Sequence, residues 1–598
     1  MFTFLIFAVL TGALTFIGTR GVFSSVMAGI IAGIIGWVTM PTIGWGFTGW
    51  ITIPCVIAVI MSIVLIILSE GEDGSLKSTL SIAGAWVFLA LLVPLSQSSV
   101  FYHEEFQQLL GDVDERNFSE DISPVNENFR VVITEEVAQA YVKRIFGQNP
   151  GLEARTNVGT MNLQRLHGTF NIQDQDGKVK TLTFENDFAW VAPLNHSGFW
   201  KWFNIGVTEG YVIQSATNSN EQYLVTALCE TTSPESCEPL KLKYLKSAYL
   251  GDNLTRLTYT NGYRTVPLTD YSFEIEDGTG YPYFVATQYE HKVNAFFGAD
   301  AVGVVLIDPQ TGDLTPFKAG EEPKWVDRVH PESFLLEQTD DYGQYKNSGW
   351  WDAHVSKENG PTVATVGSKI ILGADNNLYA WTDMTSKKNE ENAVATVGHM
   401  MINMKTKKAR FYRTVQGITA SRAVELLESN DKVQAQGYKA ASPILYNIQG
   451  VQTYFTALIG NDGEPKMYAF IDQQTGKAIG IEPIARGPKA ALLTYMKSLN
   501  KDQALNGVAD LVDATDISGI VASVRHENGV YFLMLEGNNA QAFWAEAVTQ
   551  PEIRWVEKGD EVRLVYPKSE DSRRKQPSVM LQGFDLERLS ITELPEKQ

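Results

Sequence analysis

Four apolar runs crowd the first hundred residues: Phe2–Gly18, Val22–Met40, Trp50–Ser69 and Leu80–Leu95. Only five charged residues, Arg20, Glu70, Glu72, Asp73 and Lys77, interrupt them. Each run approaches the ~17–25 residues a helix needs to cross a bilayer. A backbone dissolved in hydrocarbon must satisfy its own hydrogen bonds, so helices are the expected form. Trp37, Trp45 and Trp50 fit an interfacial aromatic belt. Gly29, Gly33 and Gly36 fit close packing of the second run on a neighbour. A cleaved signal peptide fits less well, because its charged leading region is missing and three further apolar runs follow. No ionisable residue lies within a run, which argues against an ion or proton path. Residues 1–98 are therefore expected to form a multi-pass transmembrane domain of four helices in the cell membrane. Arg20 and Lys77 would share one side, the cytoplasmic one, which leaves the remaining chain outside. An odd number of spans would reverse that placement.

The rest of the chain reads as a water-soluble body. The 598 residues carry 49 Lys plus Arg against 69 Asp plus Glu, a net charge of −20. That balance disfavours nucleic acid as a partner, since sequence-independent binding needs a basic footprint. At 44% hydrophobic residues, cores can be built and global disorder is excluded. The length predicts several domains. Three cysteines exclude a disulfide-dense scaffold. Cys55 falls inside the third apolar run as a small packing residue. Cys229 and Cys237 bracket a polar, turn-rich loop, and a disulfide there would imply an oxidising compartment; two free thiols are the alternative.

An acidic linker over 99–130 precedes an α+β domain over 131–260. Thr134 is placed to cap a helix, with Glu135 and Glu136 in its first turn and Val137, Tyr141 and Ile145 on one face. Alternating strands with hairpin signals follow, as from Asn171 to Phe184 around Asp176-Gly177. Farther on the chain repeats itself. The segment 298–312, GADAVGVVLIDPQTG, aligns at an offset of 95 with 393–407, AVATVGHMMINMKTK. The paired positions are Val302-Gly303 with Val397-Gly398, Ile307-Asp308 with Ile402-Asn403, Thr311 with Thr406, and upstream Thr287 with Thr382. A third ending, Phe470-Ile-Asp-Gln-Gln-Thr-Gly476, follows the strand Tyr454–Leu458. Asp or Asn can bond backbone two residues on, and Gly supplies positive φ, so each unit predicts a strand–turn–strand hairpin. The same reasoning explains Asp308, Asn403 and Asp472 without a metal ion.

A helix over 419–429, capped by Thr419 with Ala423, Val424 and Leu427 on one face, comes before the third copy. Helix, strands and an apolar strand ending in Asp-x-x-Thr-Gly resemble the PepSY-like module, best over 418–481 and partly over 281–314. The resemblance implies repeated α+β modules over 261–497 with a binding or inhibitory role. Lys407, standing where the other copies have glycine, departs from the pattern. Over 511–590 five short strands, with a Gly-Asp turn before the fourth, resemble an OB-fold barrel. Such barrels can bind single strands through aromatics and a basic groove. Tyr531, Phe532, Phe543, Trp544 and Trp555 are available with Arg573-Arg574-Lys575, but alternation sends many of those rings inward as core. The expected fold class is thus multi-domain: an α-helical transmembrane leader of four helices, then α+β repeat modules and a C-terminal all-β OB-like barrel.

Catalytic patterns are sparse. There is no phosphate loop, nucleophile elbow or His-Glu-x-x-His pair. Ser498-Leu-Asn-Lys501 fits Ser-x-x-Lys but lacks its partner motifs. Asp327 before His330, and Asp352 before His354, could each orient a general base. No catalytic, cofactor-binding or metal residue, and no cofactor, is assigned. The distinctive surface candidates are aromatic: Trp190, Phe199, Trp200, Trp202 and Phe203 in one stretch, and Trp350 and Trp351 in another. Phe-Trp-Lys-Trp-Phe does not alternate, so a single buried face cannot hide all of it. The expected function is a membrane-anchored binding or assembly protein, non-enzymatic, with the lipid bilayer and protein partners or further copies of itself as contacts. The alternatives are an envelope hydrolase or protease regulator acting on peptide or glycan, and a cytoplasmic-facing nucleic-acid binder through the terminal barrel.

Overall fold

The computed structural model describes Val22–Thr39 and, with short interruptions, residues 99–118, 134–499 and 514–586, besides a few isolated positions. Strands dominate, arranged in five sheets. The chain divides into two compact units: Met1–Glu115, Tyr141–Ala393 and Val397–Tyr412 form one, and Arg116–Ala140, Val394–Thr396 and Arg413–Gln598 the other.

The first unit holds three sheets. In the seven-stranded sheet the long strands Asn162–Gln173 and Val179–His196 form a hairpin. Tyr211–Ser215 and Gln222–Val225 add on one side, and Ala227–Cys229 with Cys237–Pro239 on the other. The four-stranded sheet is a meander of Leu268–Ile275, Pro282–Val293, Phe297–Ile307 and Leu314–Lys318. One apolar cluster joins these two sheets: Leu166, Ile172, Val191, Tyr211 and Ile213 from the first meet Phe273, Ile275, Phe284, Val305 and Ile307 from the second. The third, six-stranded sheet is built around Leu378–Ser386, Gly398–Asn403 and Ala409–Arg413.

In the second unit, Val451–Ile459, Pro465–Asp472 and Ile479–Pro483 form the centre of a five-stranded antiparallel sheet. Helix Ala420–Glu428 precedes it, with Thr419 accepting from the Arg422 N–H as cap and with Ala423 and Leu427 buried. Helix Glu135–Gly147 forms as its periodicity predicts, with Val137 and Tyr141 buried. Thr134, however, contributes its carbonyl to Ala138 (3.0 Å) while its hydroxyl is buried without a partner, so the side chain is no cap.

The turns are where local sequence dictates backbone most directly. Asp308 Oδ1 accepts from the N–H groups of Gln310 and Thr311 (2.7 and 3.2 Å). Asn403 Oδ1 accepts from Lys405 and Thr406 (2.9 and 2.8 Å). Asp472 accepts from Thr475, Lys477 and Ala478. Each turn closes on a residue with positive φ: Gly312 at 84°, Lys407 at 62° and Gly476 at 69°. The offset of 95 has a further physical basis. A Cβ on Gly303 would meet the Phe317 carbonyl at 2.2 Å, and one on Gly398 the Tyr412 carbonyl at 2.6 Å, so each glycine lets the next strand approach.

Two expectations are corrected. Among the described residues no helix is long and apolar enough to cross a membrane. The described leader helix, Val22–Thr39, has 18 residues, about 27 Å of rise against ~30 Å of hydrocarbon. Phe2–Gly18, Trp50–Ser69 and Leu80–Leu95 lie outside the described residues. The four-helix transmembrane leader, and the multi-pass cell-membrane localisation drawn from it, therefore do not stand. In the C-terminal region Ala514–Glu527 pairs antiparallel with both Val530–Leu535 and Glu561–Pro567. The described strands there order as Ser578–Met580, Ala542–Glu546, Val530–Leu535, Ala514–Glu527, Glu561–Pro567 and Gly583–Leu586, with Ser578–Met580 parallel to Ala542–Glu546. The fold class is accordingly a strand-rich, multi-sheet one.

Gly303→Ala should destabilise the first unit by about 1–3 kcal/mol, since the added methyl meets main chain that cannot rotate away. Urea denaturation followed by circular dichroism measures it, and an unchanged midpoint would contradict the close approach.

Candidate functional site

The strand Val179–His196 runs out at Ser197-Gly198, and the chain turns into a short helix, Phe199–Ile205. Gly206, at φ 74°, ends it by donating its N–H to the Trp202 carbonyl (2.8 Å). One side chain anchors this helix. Trp202 is buried, and its indole N–H donates to Asp252 Oδ2 (3.2 Å). Lys243 Nζ stands 3.6 Å from the other oxygen of that carboxylate. His196 is buried nearby, and desolvation holds its pKa below the ordinary value against the opposing pull of Asp252.

Outward from the anchor the helix is aromatic. Phe199 is 39% exposed, Trp200 71% and Phe203 65%. Phe199 meets Tyr249 edge-on at 5.2 Å and stacks near Phe203 at 6.0 Å, while Trp200 meets Phe203 edge-on at 6.3 Å. Leu250 and Ile205 extend the patch. The rings support one another in fixed geometry, so the surface is preformed. Monomeric surfaces seldom leave several large rings together in water without a contact to make.

The seven aromatic candidates thus separate. Phe199, Trp200, Trp202 and Phe203 share the helix, with Trp202 its root. Trp190 is core. Trp350 stacks on His354 (ring centroids 4.9 Å apart), and Trp351 is exposed beside an exposed Val355. Trp325 is buried against Tyr283.

Asp327 and Asp352 each hold a partner other than the histidine that follows them in sequence. Asp327 accepts from the Arg165 N–H (2.6 Å), and His330 is buried, its pKa pushed down to about 4 by desolvation. Asp352 accepts from Ser356, while His354 Nδ1 lies 3.1 Å from the Trp350 carbonyl. Among the described residues an acid–imidazole pair forms across two strands, a contact that no sequence spacing shows. Asp383 and His399, cross-strand partners 16 residues apart, meet at 2.9 Å with both side chains buried. His399 stacks on Trp381 (4.9 Å), and its Nε2 is buried with no hydrogen-bond partner. A triad-type hydrolase needs a nucleophile within hydrogen-bond reach of that nitrogen. Pairing the strands of the second hairpin in register would have exposed this dyad. Among the described residues no group of three His, Cys, Asp or Glu side chains is placed to hold a metal ion.

Cys229 and Cys237 are joined by a disulfide across the paired strands Ala227–Cys229 and Cys237–Pro239.

No family model matches the chain, and no curated protein or solved structure matches it either. The resemblance to PepSY-like modules with a terminal OB-like barrel is corrected accordingly. It rested on a short Asp-x-x-Thr-Gly ending and a strand count, and the turn chemistry of Asp308 and Asp472 explains that ending without common descent.

Trp202→Ala should cost about 3–5 kcal/mol in urea unfolding, whereas Trp200→Ser should stay within about 0.5 kcal/mol of the parent. Equal effects would contradict the division into anchor and surface. Replacing both Cys229 and Cys237 by Ala should cost about 2–3 kcal/mol through the freed loop, and dithiothreitol should lower the parent's melting temperature but not the variant's.

Proposed function

We propose that this chain is a binding or assembly protein, without catalytic turnover, that makes protein contacts through the aromatic helix Phe199–Ile205. The carrying observation is the exposure of Phe199, Trp200 and Phe203 together on a helix fixed from below by buried Trp202. Large rings held rigidly lose little entropy on contact, and aromatic anchors dominate many interfaces. Tyr249 and Leu250 widen the same face. Asp327 is engaged by the Arg165 N–H, Asp352 by Ser356, and the His399 Nε2 is buried, which favours this reading over an envelope hydrolase. The acidic charge balance disfavours the nucleic-acid reading.

The test compares the parent with the double variant Trp200→Ser, Phe203→Ser. Chemical crosslinking in the native host followed by affinity capture, and light scattering of the purified chain over a concentration series, report heterologous and self contacts respectively. The reading expects at least one complex to be lost in the variant while its melting temperature holds. Identical capture and identical mass in both proteins would overturn it.

A further inference from the structure

The first unit carries a second aromatic surface, apart from the helix Phe199–Ile205. Helix Ser99–Gln108 and the π-helical turn Asp352–Ser356 meet over Tyr345, whose ring lies 5.9 Å from that of His103 and 6.0 Å from that of His354. Beneath them Phe106, Val293, Tyr345 and Ala353 form a small core of their own, with Trp350 packed against it. Trp202 belongs instead to the large cluster between the seven-stranded sheet and the meander. Outside the small core the rings stand in water: Phe101 is 62% exposed and Trp351 65%, with Val355 exposed four residues on. Trp350 and Trp351 thus repeat the inward and outward roles of Trp202 and Trp200.

The two surfaces differ in the sign of the charge around their rings. Helix Phe199–Ile205 carries Lys201 and no acid. The stretch 239–251, which brings Tyr249 and Leu250 to the same face, carries Lys241, Lys243 and Lys246 and no acid. Lys201, Lys241 and Lys246 are exposed. The acids that flank this face are engaged within the fold: Asp252 by Trp202 and Lys243, and Glu209 by Arg155 (2.9 Å). Around Trp351 the sign reverses. Residues 99–115 hold five acids, and helix Glu332–Tyr345, which packs against Ser99–Gln108, holds four, with no Lys or Arg in either stretch. Glu104 and Glu105 are exposed within a turn of Phe101. Lys346 is paired with Glu115 (2.9 Å), and Lys357, just past the π-helical turn, is one cation against these acids.

We propose that the aromatic helix of one copy of this chain docks on the Phe101–Trp351 surface of a second copy, ring against ring, with Lys201 and its neighbouring lysines facing Glu104 and Glu105. This names the partner for the protein contact proposed above and rests on that reading. Charge selects the pairing. A two-fold contact would set the lysine face against itself or the acidic face against itself, and like charges across an interface are penalised. Only the crossed pairing of these two faces brings opposite signs together. Exposed ion pairs contribute little by themselves, so the rings supply the affinity and the charges the choice of partner face. Copies of a chain with net charge −20 repel in general, and the lysine face is the one that steers approach. A contact between two different faces is heterologous: each copy keeps one face of each kind to offer, and association continues into a ring or an open chain.

Sedimentation equilibrium of the full chain tests this with two one-sided variants. Trp200→Ser with Phe203→Ser removes the first face, and Trp351→Ser with Val355→Ser the second. The parent should form assemblies that grow with concentration. Each variant alone should sediment as a monomer, while their equimolar mixture should give a dimer and nothing larger, because each copy offers the face the other lacks. Lys201→Glu should weaken association of the parent by about fivefold. A parent that stays monomeric, a Trp351→Ser, Val355→Ser variant that associates as the parent does, or a mixture that stays monomeric would overturn the proposal. The binding reading beneath it is judged separately, by whether crosslinked complexes are lost in Trp200→Ser, Phe203→Ser. If either double variant fails to fold, Lys201→Glu decides, and association as tight as the parent's would overturn the proposal.

Discussion

The apolar contact between the seven-stranded sheet and the four-stranded meander is what the first unit depends on. Each sheet has a face that must leave water, and neither can do so alone. Leu166, Tyr211 and Ile213 are covered because Phe273, Phe284 and Ile307 lie over them. The polar seam of that contact is specific as well. The Gln164 side chain accepts from the Ile275 N–H (2.8 Å) and donates to its carbonyl (2.7 Å), so the edge of Leu268–Ile275 is paired by an amide from the facing sheet. The irregular segment 325–330 and the aromatic helix are both built on this platform: one is polar backbone forced inside, the other apolar rings left outside.

What was legible in the sequence was local. Turn residues act within six positions, so the roles of Asp308, Asn403 and Asp472 could be read before any fold was known. Thr419 as a cap belongs to the same class. The aromatic cluster was half legible. Failure of Phe-Trp-Lys-Trp-Phe to alternate showed that some rings must be exposed, but only the helical turn decided that Trp202 faces in and Trp200 faces out. The buried irregular segment 325–330 was not legible. Its burial requires Glu274, Arg165, Thr287 and Lys405, which come from four separated stretches, and no window of sequence contains that information. Thr134 shows the converse hazard: a residue of the right type before a helix can bury its hydroxyl and leave the capping to others.

The apolar leader misled for a physical reason. Hydropathy reports what a segment would gain by leaving water and is silent on where it goes. Module resemblance failed similarly, because a hairpin closed by Asp-x-x-Thr-Gly solves a general problem of chain reversal and recurs wherever that problem does.

Lys407 occupies the left-handed position that glycine holds in the other two turns, at a cost of about 1 kcal/mol or more for its Cβ. Its ammonium lies 2.6 Å from Asp300, in the preceding hairpin, while Lys405 of the same turn reaches the carbonyls before Asp327. The three hairpins are therefore not interchangeable parts. A chimera carrying the first copy's Asp-Pro-Gln-Thr-Gly in place of Asn403–Lys407 would reverse the chain equally well but arrive without the two cationic stitches.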